Sequence, residues 1–221
     1  LKIFLEKIYG DKEADLSGVF YHYDSFNYPD QMIGVRTSKS KPKRIYFTSE
    51  LASSAKLTQE QIEKVIPNSY TTYISALSKD LNSMVIYNTG PKDPGSYYLL
   101  KNGKISFIGS KRPSFKAKDL ADVKYLKYTS RDGRTIPAYV TIPKGKGPFP
   151  LIVNPHGGPF VSETTTWDAW SQLLANHGYM VIQPQYRGST GYGIDHYTSA
   201  FVDGGEGGYK MQDDKDDGDD D

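Results

Sequence analysis

The sequence predicts an all-β first half followed by an α/β second half, and three observations carry that reading. Short runs rich in Tyr, Val and Ile, separated by turn residues, fill roughly the first hundred positions. Beyond Pro113 the pattern changes to strand, glycine loop, helix and strand, which is a βαβ unit. Within that unit the apolar run Leu151-Ile152-Val153 passes directly into Asn154-Pro155-His156-Gly157-Gly158-Pro159, a buried-strand signal followed by a sharp turn.

Strands are expected at residues 19–23, 32–35 and 44–47. A helix follows, in which Thr58 with Gln61 reads as a capping box and Leu57 with Ile62 as a hydrophobic staple. It should end before Pro67, because the residue preceding a proline is driven out of the helical region. Four more strands are expected at residues 72–76, 83–87, 96–100 and 105–108. Their connections contain Lys79-Asp80, Pro91-Lys92-Asp93-Pro94-Gly95 and Asn102-Gly103, the last a tight-hairpin signal. Four antiparallel strands with tight turns form one blade of a β-propeller. A propeller needs several blades and the chain supplies one plus part of another, so a fragment is expected.

After a polar connection at residues 116–123, strands are expected at 125–129 and 136–142, then at 151–154. The three threonines at 164–166 offer a helix N-cap, and Trp167, Trp170, Leu173 and Leu174 recur at helical spacing. Gly178 is placed as the residue just past the helix, with a strand at 179–182. The expected division is therefore an all-β part at 1–115 and a parallel-sheet α/β part at 116–221.

Composition narrows the function classes. A hydrophobic content of 37% with 24% charge suits a packed protein rather than a disordered one. No apolar run approaches the ~20 residues of a membrane span. There is no cysteine, which excludes disulfides and thiolate metal sites. The first residue is Leu1 and no signal peptide precedes it, so the N-terminus is expected to be internal to a longer protein. Neither a cytoplasmic nor a periplasmic location is favoured, and a homo-oligomer is compatible with the composition. Residues 213–221 hold seven Asp and one Lys, which leaves the remainder of the chain basic. The lysines are scattered through loops with no nucleic-acid-binding pattern, so solvated loops are the preferred reading. In an EF-hand frame Lys215 would fall on a ligand position, which argues against calcium, and no other metal or cofactor is expected.

Two candidate chemistries centre on the glycine loops. An HGGG-type loop after a strand supplies an oxyanion-stabilising amide in α/β-hydrolases, but the partner signature G-x-S-x-G is missing here. The second loop, Tyr186 to Gly193, has G-x-x-G-x-G spacing, which is not a dinucleotide fingerprint. Ser189 directly follows Gly188, so it is not a disguised nucleophile elbow. His22, His177 and His196 are each read as structural or solvated.

Four motifs occur in order: residues 129–137, His156-Gly157-Gly158-Pro159, Tyr186-Arg187-Gly188-Ser189-Thr190-Gly191-Tyr192-Gly193, and Met211-Gln212-Asp213-Asp214. Together they make the chain resemble the prolyl oligopeptidase family, with the acylaminoacyl-peptidase and dipeptidyl-peptidase-like branch nearest. The resemblance covers residues 113–214 well and the preceding blade more loosely. It implies a propeller in front of an α/β-hydrolase and a Ser-Asp-His triad lying beyond this chain. It points to the Gly158 N–H as an oxyanion donor, with Gly157 beside it. It sets His156 where some relatives carry an oxyanion-binding tyrosine. Tyr186, Arg187, Gly188 and Tyr192 would then form a loop beside the active site. Arg187 is read as bonding backbone carbonyls in preference to substrate. The implied activity is serine-type hydrolysis of short peptides, with the present chain inactive alone. A serine esterase or lipase-like hydrolase and a non-catalytic propeller interaction module are the alternatives. The acidic tail departs from the family, since Lys215 and Asp219 stand where relatives carry apolar residues.

Overall fold

The computed structural model describes residues 14–38, 40–201 and 214–215, which form three sheets and three helices. The first sheet is antiparallel in the order β1 (Leu16–Tyr21), β2 (Met32–Ser38) and β3 (Pro42–Tyr46). Gly34 lies opposite Phe20 across this sheet. A Cβ there would sit 2.3 Å from the Ile45 carbonyl oxygen and 2.6 Å from the Phe20 ring, so only glycine lets the ring lie flat.

The helix α1 (Glu50–Val65) begins nine residues earlier than the capping-box pattern suggested. Ser49 is the N-cap, accepting from the Ala52 N–H at 3.1 Å, and Glu50 complements the dipole in the first turn. Thr58 lies inside the helix and donates its hydroxyl to the Ser54 carbonyl at 3.2 Å. Leu57 is exposed, so the expected staple does not form. Glu50, Leu51, Ala52, Ala55, Lys56 and Leu57 are strong helix formers upstream of Thr58, and with the Ser49 cap they outweigh the short motif. The helix does end at Val65, with Ile66 as its C-cap before Pro67.

The second sheet runs β4 (Thr71–Leu77), β5 (Ser83–Gly90), β6 (Asp93–Lys101) and β7 (Lys104–Ser110), all antiparallel and in sequence order. Asn102 and Gly103 have φ of +48° and +73° and join β6 to β7 in two residues, as the hairpin signal required. Ile62 and Ile66 pack on Ile86 and Tyr98, so α1 covers one face of this sheet. Both antiparallel sheets are open, with no closed ring of sheets among the described residues.

The five residues expected as a loop at 91–95 include the start of β6, and a buried polar chain explains why. Thr72 Oγ1 donates to Asn88 Oδ1 (2.7 Å), Asn88 Nδ2 to Asp93 Oδ2 (2.7 Å), and Ser96 Oγ and the Gly95 N–H to Asp93 Oδ1 (2.8 and 2.9 Å). These bonds hold Asp93-Pro94-Gly95 in the ladder despite its turn-like composition.

The third sheet positions the site. Its order is β10 (Leu151–Val153), β11 (Met180–Pro184), β9 (Thr135–Ile142), β8 (Asp122–Thr129). β10 and β11 are parallel, while β11–β9 and β9–β8 are antiparallel. The crossover between β10 and β11 carries α2 (Ala169–Asn176), capped by Asp168, whose carboxylate accepts from the Ser171 N–H at 2.6 Å. The threonines at 164–166 therefore precede the cap. The expected apolar stripe is also not the buried face: Trp170 and Leu173 are exposed, while Ser171, Gln172 and Ala175 are buried. Trp167 instead meets the Phe115 ring at 5.2 Å and the Arg112 guanidinium at 4.5 Å.

Gln172 ties the sheets together. Its Nε2 donates to the carbonyls of Pro91 (3.3 Å) and Ala121 (3.2 Å), and its Oε1 accepts from the Ala121 N–H at 2.8 Å. Lys92 pairs with Asp122 at 2.6 Å across the same junction. Nothing in α1, α2 or the short α3 (Ile194–Thr198) is long and apolar enough to cross a membrane.

Asn88 is wholly buried and also accepts from the Tyr70 N–H at 3.0 Å. Asn88→Ala should cost roughly 2–4 kcal/mol, because it strands several buried partners at once. Urea unfolding of the chain checks this, with a loss below about 1 kcal/mol contradicting the network's role.

Candidate active-site loop

Beyond β10 the ladder continues for one residue, the Asn154 N–H donating to the Ile182 carbonyl at 2.8 Å, and the chain then turns outward. Gly157 and Gly158 are exposed. Among the described residues neither of their N–H groups donates to a carbonyl or a side chain. Gly158 has φ of +128°, and a Cβ on it would lie 3.0 Å from both the Phe160 nitrogen and Val161 Cγ2. Backbone conformation and space therefore both demand glycine at this position. The loop is pinned downstream by the Thr190 N–H, which donates to the Val161 carbonyl at 3.0 Å.

His156 faces inward from this loop. Its ring stacks on Tyr186 with centroids 4.4 Å apart and planes at 23°. Nδ1 lies 2.9 Å from the Gly157 carbonyl oxygen and Nε2 lies 2.8 Å from Ser189 Oγ. Tyr186 donates its hydroxyl to the His156 carbonyl at 2.5 Å. Burial pushes His156 below the usual imidazole range, so the ring is neutral at pH 7 and carries one proton. On Nδ1 that proton goes to the Gly157 carbonyl and Nε2 accepts from Ser189. On Nε2 it goes to Ser189, whose own proton passes to the Tyr186 carbonyl at 2.6 Å. In that second tautomer Nδ1 becomes an acceptor, which the Gly157 carbonyl cannot serve, and the donor facing it is the Tyr186 hydroxyl at 3.1 Å.

The Ser189–His156 contact, between residues 33 positions apart, has no signature in the sequence. It looks like half of a nucleophile–base pair, but Ser189 is 0% exposed and within bonding distance of the Tyr186 carbonyl. No substrate can reach it, so it cannot attack one.

Arg187 is 2% exposed, and its partners differ from the carbonyls expected of it. Nε and the backbone N–H both donate to Asp214 Oδ2 at 2.8 Å, and NH2 to Asp214 Oδ1 at 2.6 Å. NH1 and NH2 grip Asp132 at 2.8 and 2.9 Å. A buried guanidinium needs opposite charge, which carbonyl dipoles alone do not supply. Arg187 and Ser130 hold the Asp132 carboxyl well below its usual range, against the opposing cost of burial. Asp214 is fully buried, and its carbonyl accepts from the Tyr128 hydroxyl.

Gly188, with φ of +93°, makes the turn, and its N–H donates to the His196 carbonyl at 2.9 Å. Tyr192 is half-buried beside His196, its hydroxyl pushed above the usual phenol range by burial. His196 Nε2 lies 2.9 and 3.1 Å from the carbonyls of Gln185 and Tyr186 and props this loop from beneath. Gln185, which the motifs did not single out, is fully buried and clamps the Glu163 backbone through its Oε1 (3.1 Å) and Nε2 (2.9 Å). His22 follows β1 rather than lying in it and stacks on Tyr23 at 4.4 Å. His177 caps α2, its Nδ1 2.8 Å from the Leu173 carbonyl. Among the described residues no group of His, Cys, Asp or Glu gathers to hold a metal. A cavity of about 720 Å³ opens between the first sheet, α1 and β4, and the glycine loops do not line it.

The depressed Asp132 carboxyl sets a pH dependence. It contributes stability above the unfolded value near ~3.9 and loses it as pH falls toward the lower folded value. Urea stability of the chain should therefore decline below about pH 4, and Asp132→Asn should flatten that decline while lowering stability at pH 7. An unchanged acid limb in the Asn variant would show that the pair does not govern it.

No protein-family model matches the chain. Dipeptidyl aminopeptidase BIII of Pseudoxanthomonas mexicana is 30% identical over 166 residues, covering 70% of this chain and 23% of that enzyme. Prolyl oligopeptidase B from Galerina marginata, solved with a 25mer macrocyclization substrate, superposes with a TM-score of 0.58 at 15% identity, over 92% of this chain and 27% of that one. An acylaminoacyl peptidase solved in complex with Z-Gly-Gly-Phe-chloromethyl ketone superposes at 0.57 with 16% identity, over 95% and 31%. At such identities the superpositions speak for the fold, and the sequence match speaks for descent. The chain spans about a quarter to a third of the length of these proteins. It belongs to the prolyl oligopeptidase family of peptidases.

Proposed function

We propose that this chain carries the oxyanion-binding part of a serine peptidase acting on short peptides, with the end of a β-propeller at residues 1–115 and the start of an α/β-hydrolase at 116–221. One observation carries the reading. Two adjacent amides, at Gly157 and Gly158, have no acceptor among the described residues although the loop around them is fixed on both sides. Unpaired donors held at a defined place cost nothing to reorganise when negative charge develops on a substrate carbonyl. The relatives named above supply the peptide class, and short peptides follow from a propeller restricting access.

Within this reading Gly158, and Gly157 beside it, donate to the tetrahedral oxyanion. His156 is a positioning residue, because its ring nitrogens are occupied by Gly157 and Ser189. Tyr186, Arg187, Gly188 and Tyr192 hold the supporting loop rather than touch substrate. The nucleophile, acid and base come from sequence outside the chain described here, with Ser attacking the carbonyl and His moving its proton.

A fluorophosphonate probe should leave the 221-residue chain unlabelled and label a longer version, extended through its nucleophile, at one serine. Labelling of the chain itself would refute the assignment. In the longer protein Gly158→Ala should lower kcat by about 100-fold or more with little change in KM, since it displaces a donor used in the transition state. Peptide-naphthylamide turnover exceeding p-nitrophenyl-ester turnover supports peptidase over esterase. A rise in KM alone for Gly158→Ala would show that the amides bind ground-state substrate only.

A further inference from the structure

Two arginines face each other across the first sheet. Arg36 of β2 stands directly opposite Arg44 of β3, and both line the cavity between that sheet, α1 and β4. Like charges in such a cross-strand pair repel. Arg44 is compensated within the protein, its guanidinium donating to Glu63 Oε1 at 3.2 Å and to the Thr72 carbonyl at 2.5 Å. Arg36 is not. Among the described residues it meets no carboxylate, and its guanidinium carbon lies 5.4 Å from the centre of the Phe20 ring. We propose that this cavity binds a small oxyanion carried on an aromatic body, a carboxylate or a phosphate monoester held between Arg36 and Arg44.

The charge around the cavity supports an anion. Five cations line it against two carboxylates, Glu60 and Glu63. Both carboxylates are already engaged, Glu60 with Lys56 at 3.8 Å and Glu63 with Arg44. An excess of three positive charges therefore faces one space. Burial, and after it the charge of Arg44, holds Arg36 below the usual guanidinium range, so an anion between the two relieves both penalties. Guanidinium forks suit oxyanions with two or more oxygens, and Arg44 keeps donors beyond the two in use. The aromatic body follows from the walls. Tyr21, Tyr46 and Tyr73 line the same space, and a volume of about 720 Å³ is that of a small-molecule pocket. Gly157 and Gly158 do not line it, so binding here requires nothing of the glycine loops.

Isothermal titration of the 221-residue chain tests this, with phenyl phosphate and 3-phenylpropionate as probes and phenol and benzylamine as controls. At least one of the two anions should bind saturably, and the tighter one separates a phosphate ligand from a carboxylate ligand. Phenol should bind at least about 10-fold more weakly and benzylamine not at all, because the two arginines recognise charge. Inorganic phosphate should bind more weakly than phenyl phosphate, which reads out the rings. Arg36→Gln should weaken the anion by about 10- to 100-fold, the loss of one charged hydrogen-bonding group. The thermal midpoint of its ligand-free form should hold or rise, since a repulsion is removed. Arg36→Glu sets a carboxylate opposite Arg44, and should abolish anion binding without lowering the midpoint. Three results would each overturn the proposal: no saturable binding of either anion, phenol binding as tightly as the anions, or anion binding that survives Arg36→Glu. A midpoint lowered by several degrees in both variants would overturn it too, by showing that the protein itself already serves the Arg36 charge.

Discussion

Arg187 joins three pieces of chain that lie 27 and 55 residues apart in sequence: the loop after β11, the tip of the β8–β9 hairpin at Asp132, and Asp214. One positive charge faces two negative ones. That arrangement is tolerable because the carboxylates are unequally hydrated. The Asp132 side chain keeps 37% of its surface in water, while that of Asp214 keeps none. Asp214 is therefore served by Arg187 instead of water, and it receives the Nε, NH2 and backbone donors together. Removing one partner of such a buried set costs about 3–5 kcal/mol, whereas the set as a whole contributes little net stability. Its value lies in geometry, since it fixes where the loop after β11 can run.

The consequences pass outward one residue at a time. Fixing Arg187 fixes Tyr186 beside it, and Tyr186 presents a ring face and a hydroxyl to His156. The stacked imidazole then spans from Ser189 to the Gly157 carbonyl. The outer loop thus rests on the inner one through the His156 ring, with the Tyr186 hydroxyl, the Thr190–Val161 bond and the Gln185–Glu163 pair as further ties. The amides of Gly157 and Gly158 are left over from this internal bonding.

What was legible in the sequence follows from what is local. The Asn102-Gly103 hairpin, the strands around it and the glycine past α2 are encoded in neighbours, and they formed where expected. The order of β8, β9, β10 and β11 was not readable, because placing β11 between β10 and β9 is a choice among distant partners. The two helix starts fail instructively. Thr58-x-x-Gln61 has the form of a cap, but a cap acts only where the chain upstream is not already helical. At α2 the stripe of Trp and Leu followed helical spacing, yet Gln172 took a buried place because it satisfies both backbone groups of Ala121 beside β8 and the Pro91 carbonyl of the second sheet. For the site, the glycine loops were visible as motifs, while the partners of Arg187 and His156 were not. Charge pairing and stacking across dozens of residues leave no periodic trace.

The same logic separates this loop from an ordinary strand-to-helix turn. A turn of that kind satisfies its own amides or hands them to water, and nothing else need be rigid. Here the positive φ at Gly158, the two ties at Val161 and His156, and the buried ion cluster beneath Tyr186 all restrict a segment whose donors have no partner among the described residues. Ordering a loop costs on the order of 1–2 kcal/mol per residue, and no packing of the glycines themselves returns that cost. The compensation comes from buried groups nearby. Under the proposed function, rigidity placed at unpaired donors is the electrostatic preorganisation that an oxyanion needs.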